Sequence, residues 1–249
     1  MRRERLSVAG FLWPLALGLS AIAFLLALGT WQMQRKAWRE GLSARISARV
    51  NQPPMPLAEA LEQSGGTLEY LRVRVRGTFL HGAEQFLWEP DPRLGPGYDI
   101  VTPLRLGDGR FILVNRGYVT EAQKAPSARA QGQIAGEVEI VGLLREAPVR
   151  GTFDPDRDSR TGVWHWRDLD GMTRAALGAE AGKASRLFLD VDAAPANAVG
   201  WPRGGATRIV IPNRHLEYAL TWYGLAGTLV AVLAVFLIGR WRASGRGPG

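Results

Sequence analysis

Two apolar runs without a single charged side chain bracket this chain. The first spans Phe11 to Thr30 and the second Ala219 to Gly239, and neither contains Asp, Glu, Lys, Arg or His. A helix rises about 1.5 Å per residue, so about 20 residues match a hydrocarbon core of roughly 30 Å. The layout predicts a membrane protein with two transmembrane α-helices flanking an extracytoplasmic domain. The expected bounds are a tail over 1–10, a helix over 11–30, the domain over 31–218, a helix over 219–239 and a tail over 240–249. Two helices are too few to enclose a pathway, and no charge sits at mid-membrane depth to guide an ion. A channel, a transporter and a soluble enzyme are therefore disfavoured.

Charge sets the expected orientation. Of the formal net charge of +8, the first tail (Arg2, Arg3, Glu4, Arg5) carries +2 and the second (Arg240, Arg242, Arg246) +3, leaving +3 for everything between. Short basic flanks stay cytoplasmic, whereas long loops translocate largely regardless of charge. Both termini are thus expected in the cytoplasm and the main domain outside it. Arginines at the loop ends (Arg35, Arg39, Arg208, Arg214) blur that signal. The first run also passes as a signal peptide with Ala27-Leu28-Gly29 as its cleavage site, but it is long for an h-region of about 7–15 residues. No Ser/Arg-rich amphipathic presequence is seen, which favours a bacterial inner membrane over a mitochondrial precursor. The basic tails suit an anionic bilayer surface. No Lys/Arg stripe with interleaved aromatics exists, so no nucleic acid is expected as a partner. The chain has no cysteine, which excludes disulfides, thiolate metal sites and thiol redox chemistry.

Between the spans the pattern shifts from helical to period two. Trp31 to Val50 continues the first helix until Asn51-Gln-Pro-Pro-Met-Pro56 stops it. Leu57 to Gln63 reads as a short amphipathic helix. Tyr70 to Phe79 alternates, with Val73 and Val75 on one face and Arg72, Arg74 and Arg76 on the other, as in a half-buried strand. Further strands are expected over Gln85–Trp88, Tyr98–Leu106, Arg110–Val119, Gly136–Leu144, Val163–Trp166, Arg186–Val191 and Thr207–Ile211. Leu106-Gly-Asp-Gly-Arg110 is a hairpin turn. A helix is expected over Asp168–Ala179, capped by Asp168 or Asp170. Glu121–Ala135 and Ala193–Ala206 read as mobile loops. The sum is a mainly β (α+β) domain, sandwich-like or barrel-like.

No catalytic constellation emerges, and an enzyme is not expected: no G-x-S-x-G, Walker loop, G-x-G-x-x-G or H-E-x-x-H is present. Asp154, Asp156 and Asp158 fit a solvated acidic loop better than a calcium loop. Of the three histidines, His215 is the most suggestive. A helix beginning near Asn213, whose side chain caps it, puts His215, Tyr218, Ala219, Trp222 and Ala226 on one face. Such a histidine fits an axial haem ligand or an ordinary polar residue of an interfacial Trp/Tyr belt. His165 alternates to the face opposite Trp164 and Trp166 and reads as structural or exposed. Trp31, Arg35 and Lys36 fit either a partner contact or an interfacial anchor. Asn115-Arg116-Gly117 fits either a recognition corner or a bulge that needs glycine.

Seven segments in order carry a family resemblance. They are Leu28-Gly-Thr-Trp-Gln-Met-Gln-Arg35, Leu68-Glu-Tyr-Leu-Arg-Val-Arg-Val-Arg-Gly-Thr-Phe79, Tyr98-Asp-Ile-Val-Thr-Pro-Leu104 and Ile112-Leu-Val-Asn-Arg-Gly-Tyr118. Gly132-Gln-Ile-Ala-Gly-Glu-Val-Glu139, Trp164-His-Trp-Arg-Asp-Leu169 and Asn213-Arg-His-Leu-Glu-Tyr-Ala-Leu-Thr-Trp-Tyr-Gly224 complete the set. Together, between two spans, they resemble the Surfeit locus protein one family of cytochrome c oxidase assembly factors, in its bacterial form. The resemblance implies a chaperone of respiratory-chain biogenesis that binds haem a and helps insert it into cytochrome c oxidase subunit I. Haem a synthase is a further implied partner, and the implied setting is the cell inner membrane with the domain in the periplasm. It points to His215 as the haem-iron ligand, with Tyr218 and Trp222 as pocket walls. Ala16 and Ser20 on one helix and Gly224 and Thr228 on the other are expected to let the helices pack closely. The alternative function is a membrane-anchored scaffold that stabilises nascent oxidase subunits without touching haem. It would use exposed residues such as Trp31, Arg35, Arg116 and Arg167.

Overall fold

A computed structural model describes residues 8–62, 66–192, 200–205 and 213–245. The chain divides into two units, Met1–Arg45 with Val210–Gly249, and Ile46–Ile209.

The first unit is a pair of long helices, α1 (Val8–Val50) and α4 (His215–Gly245). Both are long and apolar enough to cross a membrane, and most of their side chains face outward. Helix α1, which holds Pro14 near its start, runs on from the apolar stretch through the polar segment that follows, because no further proline comes before Pro53. The two helices meet along a seam that repeats every four and three residues. On α1 the seam is Gly18, Ile22, Leu25, Gly29 and Gln32; on α4 it is His215, Ala219, Trp222, Ala226, Leu229 and Leu233. That 3.5-residue period is the coiled-coil pattern. The contacts Gly18–Leu233, Gly29–Tyr223 and Gln32–His215 run in opposite directions along the two chains, so the helices are antiparallel.

Close approach comes from different small residues than expected. Gly18 and Gly29 are buried, and a Cβ at Gly29 would collide with the Tyr223 ring. Ala16, Ser20, Gly224 and Thr228 face away from the seam and are exposed. The expectation followed small residues alone, whereas the seam is set by the 3.5-residue period.

The second unit is a closed barrel. Its strands are β2 (Arg72–Phe79), β4 (Gly97–Leu106), β5 (Phe111–Thr120), β6 (Glu137–Glu146) and β8 (Ala184–Val191). Around the ring the order is β2-β6-β8-β5-β4, and β4 returns to β2 through Gly77↔Leu106 and Phe79↔Leu104. All neighbours are antiparallel except β5 and β8. Closure removes the free edges that an open sheet would expose. Three short strands extend the sheet: β1 (Met55–Pro56) beside β2, β3 (Gln85–Trp88) beside β4, and β7 (Val163–Trp164) beside β3.

Val73, Val75, Leu104, Ile112, Val114, Ile140, Leu144 and Leu189 belong to one buried cluster. Helix α2 (Leu57–Glu62) packs against this cluster with Leu57 and Ala60. Helix α3 (Leu169–Leu177) builds a second cluster, in which Leu169 and Met172 meet Val101, Leu113, Trp164 and Phe188. This double cover explains why β4 and β5 are buried on both faces rather than alternating. Asp168 caps α3 by accepting from Gly171 N–H at 2.9 Å.

The expected strand over Thr207–Ile211 and much of the expected loop over Ala193–Ala206 lie outside the described residues. Glu121–Ala135 is not the free loop its composition implied. It folds into turns of 3₁₀ helix, Glu121–Gln123 and Pro126–Gly132, and drives the Arg129 side chain into the interior.

Candidate functional site

The polar contact between α1 and α4 lies at one end of the helix pair. Gln32 comes two residues after the uncharged run of α1 ends, and His215 opens α4 four residues before its own run begins. Asn213 Oδ1 accepts from the His215 backbone N–H at 3.4 Å, tying down the start of the helix. His215 Nδ1 lies 2.7 Å from Gln32 Oε1. A carbonyl oxygen only accepts, so Nδ1 carries the proton and donates. His215 Nε2 has no hydrogen-bond partner among the described residues.

Two turns along α4 the Trp222 Nε1–H is buried and has no partner among the described residues. A second polar contact flanks the site, with Tyr223 Oη 3.3 Å from Thr30 Oγ1. Thr30 gives its only proton to the Leu26 carbonyl at 2.9 Å, so the tyrosine donates in that pair. Arg35 stands exposed one turn beyond Gln32, its guanidinium 4.2 Å above the Trp38 ring.

His215 and Trp222 therefore share the inner face of α4, as expected. Tyr218 does not. It is 55% exposed, and three residues of helix rotation carry it out of the seam. Trp31, at 54% exposure, also points outward and is available to a lipid headgroup or a partner. Gln32, Gly29 and Tyr223 were not singled out from sequence; the signal for Gln32 and Gly29 was the heptad seam, which Tyr223 adjoins without occupying.

The two arginines expected on the partner-facing surface of the β domain are committed internally. Arg116 is 0% exposed. It donates to Glu84 Oε1 at 3.0 Å, to the Gly132 carbonyl and toward His81 Nδ1, and it stacks on the Phe79 ring. Arg129 reaches the same carboxylate at 2.6 and 3.2 Å, and Gln133 Nε2 adds a third donor residue at 3.1 Å. A charged arginine cannot be left unpaired in an apolar interior, which is why a single buried carboxylate collects this many donors. Burial pushes the Glu84 carboxyl up, but the hydrogen bonds and charge of Arg129, with Gln133 and Arg116, outweigh it and hold it below the usual range. Gly117, at φ +110°, lets the strand turn there, and any Cβ would meet the Arg203 carbonyl. The Asn115-Arg116-Gly117 corner is thus an internal brace and does not present Arg116 to a partner.

Arg167 is half-buried. It donates to Asp190 Oδ1 at 2.9 Å and pairs with Asp99 at 3.7 Å. Asn115 donates to Asp99 Oδ2 at 2.7 Å, while Asp99 Oδ1 is buried without a partner among the described residues. Burial pushes the Asp99 carboxyl up to about 6; Arg167 and Asn115 oppose this, and Asp190 and Glu89 add to it.

Among the described residues no group of three or more His, Asp or Glu side chains is gathered to hold a metal ion. Asp154, Asp156 and Asp158 serve their own loop, taking donors from Gly151, Arg150 and Thr161 respectively. His165 is exposed.

The SURF1 family model matches residues 19–227, a span that includes most of the helix seam and the whole barrel. Surfeit locus protein 1 of Homo sapiens is 38% identical over 217 residues, covering 80% of this chain and 69% of the relative. That of Takifugu rubripes is 36% identical over 215 residues, covering 80% of this chain and 86% of the relative. A SURF1-like protein of Monosiga brevicollis is 35% identical over 239 residues, covering 90% and 86%. With a family match over most of its length and relatives of this closeness, the chain belongs to the SURF1 family.

Proposed function

We propose that this protein carries haem a for the assembly of cytochrome c oxidase, holding the iron through His215 and yielding the haem to subunit I. Membership of the SURF1 family points to a role in cytochrome c oxidase assembly. The observation that supports the finer reading is the setting of His215, whose Nδ1 is engaged by Gln32 while Nε2 has no hydrogen-bond partner among the described residues. Neutral imidazole with its second nitrogen hydrogen-bonded is the usual form of a metal-bound histidine.

The surroundings fit the cargo. Trp222 and Tyr223 offer aromatic walls, and the buried Trp222 Nε1–H lacks a partner that a polar edge of the porphyrin would supply. Arg214 adjoins His215 in sequence and Arg35 follows Gln32 by three residues; both are exposed cations and suit the propionates. His215 is the only histidine on either helix, and a single protein ligand holds iron less tightly than two, which suits a carrier that must release.

In this reading the two helices insert in the bacterial inner membrane with both termini cytoplasmic and the barrel in the periplasm. Trp31 and Arg35 lie at the membrane surface, where subunit I and haem a synthase are within reach. No step of the role needs a catalytic group, and none is assigned. Protein purified from cells making haem a should show a Soret band that is missing from His215→Ala. A band of equal strength in the variant would remove His215 from the role.

A further inference from the structure

The ring of His215 is engaged by a residue on the other helix. We propose that Gln32 is a positioning residue that holds His215 in the Nδ1–H form and so turns Nε2 outward as the ligating atom. The second half of this inference rests on the haem reading above; the first half does not.

An unconstrained neutral imidazole side chain prefers its proton on Nε2, which would block that atom as a ligand. The neighbouring Asn213 Oδ1, just before α4, is taken by the backbone N–H of His215. The acceptor is supplied instead from α1, where Gln32 Oε1 sits 2.7 Å from Nδ1. One hydrogen bond fixes two things together. It selects the tautomer, and it pins the ring plane against the seam so that Nε2 points away from Gln32.

Gln32 holds its position because it lies in register with the helix contact. It occupies the seam one turn after Gly29, where the absent side chain leaves room for the Tyr223 ring of α4. A shorter side chain at 32 would not span to the ring, and a charged one would carry its own ionisation. An amide turned the other way would donate to Nδ1 and force the proton onto Nε2. The two orientations therefore give opposite tautomers, and the structure shows the one that frees Nε2.

The tautomer can be read without haem. The full chain, labelled with ¹⁵N-histidine and placed in nanodiscs, has three imidazoles, and His215→Ala assigns the third. At about pH 8.5, where an ordinary histidine is neutral, the ¹⁵N shifts distinguish protonated from unprotonated ring nitrogen. The expected result is Nδ1–H for His215 in the wild type. Gln32→Leu should move it to Nε2–H while His81 and His165 stay unchanged, which serves as the internal check on folding. Gln32→Glu, an acceptor that cannot turn to donate, should restore Nδ1–H.

Haem titrated into the same samples should bind about 10–100-fold more weakly to Gln32→Leu than to wild type, with Gln32→Glu recovering affinity. His215 found as Nε2–H in the wild type, or indifferent to Gln32→Leu, overturns the inference whatever haem does. If the tautomer behaves as expected and no sample binds haem, the haem reading fails and with it the ligand half of the inference; the orienting contact itself stands.

Discussion

Removing the Glu84 carboxylate should unfold the barrel more readily than any surface change. Glu84 contacts two arginines whose side chains are both 0% exposed, at 3.0 Å for Arg116 and 2.6 Å for Arg129. Glu84→Ala would leave both guanidinium groups buried, repelling each other, and would strip Gln133 of its acceptor as well. Breaking a buried charge pair by removing one partner costs about 3–5 kcal/mol, chiefly because the other charge stays behind uncompensated. For a unit of this size each kcal/mol shifts the melting point by about 2–4 °C, so a drop of about 6–20 °C is expected. The assay is near-UV circular dichroism of the full chain in detergent, with Glu59→Ala, an exposed position on α2, as a silent control. Adding Arg129→Met to Glu84→Ala should bring the melting point back toward wild type, since one of the stranded charges is then gone. If Glu84→Ala melts within about 1 kcal/mol of wild type, an ordinary surface-sized effect, the argument that this carboxylate braces the barrel is wrong. The same group gives a pH dependence. Its folded pKa is depressed, so its contribution is present above the ordinary carboxylate pKa and is lost as pH falls through the lower folded value.

Asp99 should behave in the opposite sense. Its folded pKa is raised to about 6, so its stabilising protonated form is fully present below the ordinary aspartate pKa and is lost as pH rises through about 6. Asp99→Asn should therefore flatten the fall in stability between pH 4 and about 7 and be the more stable protein at pH 8, as read by denaturant midpoints across pH. A slope unchanged by the substitution would clear Asp99 of that role. In the helix pair, Gly29→Leu should lower the melting temperature of detergent-solubilised protein and weaken the Gln32–His215 contact, because its side chain would meet the Tyr223 ring. Gly224→Leu, with nothing within 4 Å of its Cβ, should leave both unchanged. Equal effects at the two glycines would mean that the helices do not meet along this seam.

The barrel strands were legible from sequence where burial was one-sided. Arg72 to Phe79 alternates in the chain because its valines face the core and its arginines do not, and the strand falls two residues inside its expected start. Gln85–Trp88 and the turn at Leu106–Arg110 were equally local, and they were placed correctly. Barrel closure was open between two readings, since the pairing of β2 with β4 joins segments that no local pattern connects.

The polar interior was not legible at all. Arg116 read as a surface group because arginine is seldom buried. Its partner Glu84 is 32 residues away in sequence, and Arg129 comes from a stretch whose small and polar residues looked like a loop. Half of the candidate site was visible: His215 and Trp222 follow from helical spacing, and Asn213 caps as expected. Tyr218 was misplaced because a 3.6-residue face admits it and the 3.5-residue seam does not. Gln32 lay within a segment quoted for its resemblance, yet its contact spans 183 residues and has no local signature.

The central claim is that this chain holds haem a through His215. The direct measurement is an equilibrium titration of haem a into purified protein in nanodiscs, wild type against His215→Ala, followed in the visible spectrum. A saturable site of one haem per chain, at least about tenfold weaker in the variant, is what the account predicts. Equal affinity in the two proteins, or uptake that never saturates, would contradict it.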